Sequence, residues 1–367
     1  MHKRVLMFAV IMLAGCTSDD GGRGVLRSLS VGSGFACALD IDGAAWCWGM
    51  GKNGQLGTGF EKESMRALPV AGEHRFVGIC AGYVHACGLD ADGAAWCWGE
   101  NWDGQLGNPS DARRLEPTRV ETQERFSSLS CGWEHTCGLG TTGGLWCWGF
   151  LGRGVTGDSY FQMFTPTLID AATDLVELEG KANVQAVLDA NGRGRLIPDP
   201  TVCDFGGIND MNSGDDSPPP LRQNALWAGI TLTAFCAGER FACGLAPQGI
   251  WLCTGSVYWD MPCLTAPEPV STRRFEALAC ASESVCALDG SGAVWCMGEN
   301  RRQSLGIDSF EESIVEPQRV ATDRQFSGLA INIRNQCALD FMGQAWCWGS
   351  FIYSNDDEII TRPTRIQ

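Results

Sequence analysis

The chain has 367 residues, 19 of them cysteine, and carries 43 acidic against 27 basic side chains, for a formal net charge of −16. That balance argues against a surface of clustered Lys and Arg, and so against nucleic acid as a partner. For the rest, the acidity implies a well-solvated surface that repels anions.

The first sixteen residues read as an export signal: His2, Lys3 and Arg4 form a basic start, Val5 to Met12 an apolar run, and Leu13-Ala14-Gly15-Cys16 the close. That close resembles a bacterial lipobox. The resemblance implies cleavage before Cys16 and acylation of that cysteine as a lipid anchor; an ordinary signal peptide with an incidental Cys16 thiol is the alternative. Without Lys3 and Arg4 the charge falls by two, to −18. No later run reaches the ~20 apolar residues of a membrane span. Residues 17–24, Thr-Ser-Asp-Asp-Gly-Gly-Arg-Gly, read as a flexible tether. Thr17 after the lipid cysteine resembles an outer-membrane address. The expectation is an exported chain, tethered to the cell envelope through Cys16. Setting Cys16 aside leaves eighteen cysteines, an even number that favours a disulfide framework. No metal site is expected, because zinc would need C-x2-C units, which do not occur, or more than the four histidines present.

The body begins at Val25. Cys37 to Gly49 reads as a β-hairpin whose loop is Ile41 to Gly43, with Asp favouring the turn and Gly43 able to take the left-handed conformation. Leu39 then faces Ala45 and Cys37 faces Cys47, near bonding distance. The unit recurs with paired cysteines ten positions apart: Cys37 and Cys47, Cys87 and Cys97, Cys137 and Cys147, Cys243 and Cys253, Cys286 and Cys296, Cys337 and Cys347. A seventh copy lies at Leu188 to Gly192, with Ala186 and Leu196 where the two cysteines would stand. The pair is lost together, as a bonded pair would be.

A short strand with an aromatic start precedes most hairpins, as at Phe76, Phe126, Phe275 and Phe326, and a Pro-led strand follows at Pro69, Pro117, Pro166, Pro269, Pro317 and Pro363. Each period of about 50 residues thus offers four strands, which predicts an all-β, seven-bladed β-propeller of four-stranded blades, stapled by disulfides, over 25–367. An insertion at 198–223 breaks the period. Its acidic stretch, 209–216, has the composition of a calcium loop but not its order, and a solvated loop is expected. Joining the terminal strands, Val25 to Val31 and Arg362 to Ile366, is expected to close the ring.

The sequence Ala-Leu-Asp-x-Asp-Gly-x-x-Trp-Cys-Trp-Gly, followed by Asn53-Gly54-Gln55-Leu56-Gly57 or by Asn101 to Gly107, is similar to the regulator of chromosome condensation repeat family. The resemblance spans nearly the whole mature chain and implies propeller faces that bind proteins. In that family these include a guanine-nucleotide exchange role on a small GTPase and a secreted inhibitor of β-lactamases.

Six cysteines fall outside the hairpins. Cys80 and Cys131 read as equivalent positions in neighbouring blades, as do Cys236 and Cys280, so inter-blade bonds are candidates; Cys203 and Cys263 would pair by elimination. His85 and His135 share one repeat position and read as hydrogen-bonded packing residues. No Gly-x-Ser-x-Gly, His-Glu-x-x-His or phosphate-loop motif occurs. Loop aromatics are the better clue to function: Tyr83, Trp133, Trp102, Phe150 and Trp259 are the candidate partner-binding residues, since Tyr and Trp dominate protein recognition. The expectation is a monomeric, lipid-anchored scaffold for an extracytoplasmic protein or surface glycan, with no cofactor and no catalysis of its own. A polysaccharide hydrolase or lyase using paired carboxylates on a propeller face is one alternative, and a purely structural envelope protein another.

Overall fold

The computed structural model describes residues 24–151, 162–181, 184–197, 227, 229–257, 264–351 and 359–367. The export signal, Cys16, most of the tether, the insertion, Cys203, Trp259 and Cys263 lie outside them.

In the first hairpin Asp40 turns its carboxylate inward. Its Oδ1 accepts the N–H groups of Asp42 (3.0 Å) and Ala44 (2.9 Å), and its Oδ2 accepts the Trp46 indole N–H at 3.0 Å. Gly43 completes the turn at φ +82°, and a Cβ there would stand 2.8 Å from the Phe76 carbonyl oxygen of the next blade. Positive φ and close approach both require glycine at this point. Asp90, Asp289 and Asp340 repeat the arrangement with Trp96, Trp295 and Trp346.

Each hairpin grows into a blade. In blade 1 the strands Leu26–Gly32, Phe35–Asp40, Ala45–Gly49 and Ser64–Pro69 pair antiparallel in sequence order. Blades 2 (76–119), 3 (126–170), 5 (234–269), 6 (275–319) and 7 (326–365) repeat it, and blade 4 has three described strands, Leu175–Lys181, Val184–Asp189 and Gly194–Ile197. The result is a seven-bladed β-propeller. First strands of successive blades contact one another around the axis. The fourth strands begin before their prolines: Pro69 ends its strand, and Pro117 and Pro363 fall inside theirs. An outermost strand tolerates proline because one of its edges has no ladder partner.

The register is as the hairpin spacing predicts. Cys37 faces Cys47, and Ala186 faces Leu196 in the blade that lacks the pair. All six hairpin pairs are bonded, and so are Cys80–Cys131 and Cys236–Cys280 between neighbouring blades. Within each of these last two pairs the cysteines do not occupy equivalent positions. Cys80 faces the hairpin cysteine Cys87, whereas Cys131 faces Thr136, one residue earlier; Cys236 faces Cys243, and Cys280 faces Val285. Successive strand residues point to opposite faces, so a one-residue offset is what lets side chains from two neighbouring blades point at each other.

Between blades, the indoles of Trp48, Trp98, Trp148 and Trp348 are fully buried, and Trp98 and Trp148 donate to the carbonyls of Gln55 and Gln105 in the preceding blade's loop. Burying an indole of ~200 Å² at ~25 cal/mol per Å² contributes about 5 kcal/mol as an upper bound. Trp295 and Trp346, on the outer side, lie under Arg273 and Arg324, at 3.9 and 4.4 Å from guanidinium carbon to ring centroid.

Closure differs from the expected joint. The terminal strands belong to separate sheets, blades 1 and 7. The two blades meet by packing and by side-chain bridges: Gly34 N–H donates to Asn335 Oδ1 at 3.1 Å, while the Asn335 and Asn332 amides donate to the Phe35 and Val31 carbonyls. Beyond the last strand, Ala67 N–H donates to the Gln367 carbonyl at 2.9 Å.

Candidate functional site

The strands place two kinds of connection at opposite ends of the ring. Hairpin turns form one face, called here the turn face. Loops between first and second strands, and the longer loops after third strands, form the other, the loop face.

Three of the five candidate aromatics lie on the loop face at blades 2 and 3, and two of them, Tyr83 and Trp133, are brought together. Tyr83 and Trp133 share a repeat position, and their rings lie 6.2 Å apart, tilted. Tyr83 is 40% exposed and Trp102, in the long loop of blade 2, is 65% exposed. Phe150 ends the strand Leu145–Phe150 rather than lying in a loop, and is half-buried, with its N–H donated to the Glu134 carbonyl. Phe60 and Phe310, exposed in the long loops of blades 1 and 6, add to this face. Sequence reasoning passed over both, although each is a lone aromatic in a charged loop.

Carboxylates surround the aromatics. Burial, then repulsion from Asp103, pushes the Glu134 carboxyl above its ordinary range, and burial raises Asp103. Glu100 is raised by burial first, against a hydrogen bond from the Asn101 N–H and the Arg113 guanidinium 4.0 Å away. Across the face, Glu299 is pushed up to about 7 by burial and by its hydrogen bond to Glu283, with Arg301 and Arg334 opposing. Glu239 is raised by burial and by Glu283. A raised carboxyl beside an indole can accept a partner's ammonium or guanidinium, which would pair the charge and stack on the ring.

The histidines sit deeper. Thr136 Oγ1 donates to the Gln105 carbonyl at 2.9 Å, so it accepts from His85 Nε2, also at 2.9 Å. The Gln185 amide nitrogen lies 2.6 Å from His135 Nε2, which accepts. Burial holds His135 down at about 4, so its ring is neutral. Each histidine thus bridges to the next blade. The sulfurs of Cys80, Cys87 and Cys131 lie within 4.8 Å of one another, but all three are in disulfides and offer no thiolate.

The Regulator of chromosome condensation (RCC1) repeat matches residues 42–89 and 92–139, and a second form of it matches 26–55 and 76–105. No curated protein matches the chain. Among solved structures, human WBSCR16 is 18% identical, with a TM-score of 0.72 over 86% of this chain and 87% of that one. Prp20p from Saccharomyces cerevisiae, described with its binding to Gsp1p and histones, is 18% identical, with a TM-score of 0.69 over 83% and 80%. Yeast RCC1 (Prp20) bound to Kap60 is 17% identical, with a TM-score of 0.73 over 90% and 85%. With the repeat matched in blades 1 to 3 and the ring superposing on propellers of this type, the chain is an RCC1-like repeat β-propeller.

Proposed function

We propose that this chain is an exported, lipid-anchored, monomeric scaffold that binds an extracytoplasmic protein or surface glycan on its loop face and catalyses nothing itself. The observation that carries this reading is the exposed pair Tyr83 and Trp102, with Trp133 half-buried against Tyr83, beside the raised carboxyls of Asp103 and Glu134. Aromatic anchors on a rigid frame suit recognition, because little side-chain entropy is lost on binding. Protein binding by Prp20p supports it by analogy of fold. The hydrolase alternative draws no support from Glu283 and Glu299. They are hydrogen-bonded to each other, whereas glycosidase carboxyl pairs stand roughly 5 to 9.5 Å apart.

Affinity capture from the native envelope with the oxidised protein tests the reading. A saturable partner is expected, with Tyr83→Ala plus Trp102→Ala weakening it by about thirtyfold, the ~2 kcal/mol of a hot spot. No saturable partner, or equal binding by the double variant, would overturn it.

A further inference from the structure

The turn face carries a second exposed patch, confined to one seam. In each hairpin turn the two residues after the position of the inward Asp, which is Gly140 in blade 3 and Ala246 in blade 5, form the tip. Most tips are small or polar: Ala91 and Asp92, Thr141 and Thr142, Ala190 and Asn191, Pro247 and Gln248, Gly290 and Ser291. Blades 7 and 1 differ. Their tips present Phe341 (68% exposed), Met342 (61%) and Ile41 (61%), all large and apolar. These blades are neighbours, and Val25, 51% exposed, lies between their turns. The Ile41 N–H donates to the Val25 carbonyl at 2.9 Å, Leu26 N–H donates to the Gly343 carbonyl at 3.1 Å, and a Cβ on Gly343 would collide with Val25. Contiguous exposed apolar side chains of this kind mark a contact surface.

We propose that this seam rests on a lipid bilayer, with Phe341, Met342, Ile41 and Val25 seated at headgroup depth. The proposal builds on the anchored reading above. The chain enters the ring at Gly24 and Val25, in the middle of the patch, so the tether of residues 17–24 starts where the apolar side chains are. Eight residues span at most ~28 Å, and as a Gly-rich coil about 16 Å, which keeps this face beside any membrane that holds Cys16. The inward carboxylates of Asp40 and Asp340 leave Asp42 as the exposed acid at the two tips. The contact is therefore apolar rather than electrostatic, and added salt does not release it. Seated this way, the ring turns its loop face, with Tyr83 and Trp102, away from the lipid.

The Cys16→Ser chain, which cannot be acylated there, tests the seam by itself on vesicles of phosphatidylethanolamine and phosphatidylcholine. Vesicles are expected to slow amide hydrogen exchange at least threefold over residues 41–44 and 341–344 and to leave 83–84 and 102–104 unchanged. Adding Phe341→Ser with Met342→Ser, both on an exposed tip, is expected to weaken co-sedimentation with vesicles at least tenfold while leaving thermal unfolding in place. Unchanged exchange at the turns overturns the proposal. So does protection that is equally strong without vesicles, the result if residues 5–12 of this chain or a second copy cover the patch. The mass of the wild-type N-terminal peptide reads acylation of Cys16 independently, so failure of the anchor and failure of the seam are told apart.

Discussion

His135 shows how one buried side chain ties the fold to pH. Its ring is fully enclosed, accepts from Gln185, and is held at about 4 by burial, whereas an unfolded chain leaves it near 6.5. Between those values the unfolded state binds the extra proton. Its contribution is therefore complete above pH 6.5 and is lost as pH falls towards 4, by about 3 kcal/mol. Glu177, on the innermost strand of blade 4, acts in the opposite sense. Burial and then repulsion from Glu179 push it up to about 7, so it favours the fold below pH 4.5 and the benefit is lost as pH rises through 7. Denaturant titrations across pH 4 to 7 are expected to show His135→Gln losing the acid-side part of the stability loss, with Glu177→Gln flattening the rise in instability towards neutrality. Parallel profiles for wild type and His135→Gln would remove the assignment. Nothing in the sequence disclosed either shift, because both depend on which blade packs against which residue.

At the scale of the element, the hairpin was legible almost to the atom. Asp40, Gly43 and the ten-residue cysteine spacing dictate the turn, the register and the bond, and the structure has all three. Contacts between blades were less legible. The one-residue offset of Cys80 from Cys131 follows from the faces that two separate sheets turn to each other, which a repeat alignment treats as identical. Blade 4 offers a direct test of the hairpin logic. Ala186 and Leu196 face each other as the cysteines do elsewhere, so Ala186→Cys with Leu196→Cys is expected to form a seventh hairpin disulfide. By the loop-entropy estimate it contributes about 2 to 3 kcal/mol, read as the difference in unfolding between oxidised and reduced forms of the same variant. Equal stability of the two forms would mean that this hairpin is already as constrained without the bond.

For the whole molecule, the sequence showed the number of blades and the kind of fold, while the manner of closure and the partition of surface between two faces emerged only in three dimensions. The terminal strands pair within their own blades, and buried Asn335 carries much of the last joint, accepting from Gly34 and donating to Phe35. Asn335→Ala leaves both backbone groups without their partner and is expected to lower global stability by about 1 to 3 kcal/mol, measured by denaturant unfolding. A loss confined to local exchange in blade 7 would place the joint elsewhere. The candidate site was legible in part: Tyr83, Trp102 and Trp133 were found as loop aromatics, but the raised carboxyls beside them appear only where blades 2 and 3 meet.

Among the described residues, each blade is one uninterrupted run of chain, first strand to fourth in six blades and first to third in blade 4, with no strand lent across a boundary. A duplicated or excised stretch of coding sequence, cut anywhere between a fourth strand and the next first strand, therefore adds or removes a whole blade and leaves the others wired as before. Such a ring can grow by copying, and its inheritance has two fixed points: the segments joined by Cys80–Cys131 and by Cys236–Cys280 must travel as pairs of neighbours or lose their bond.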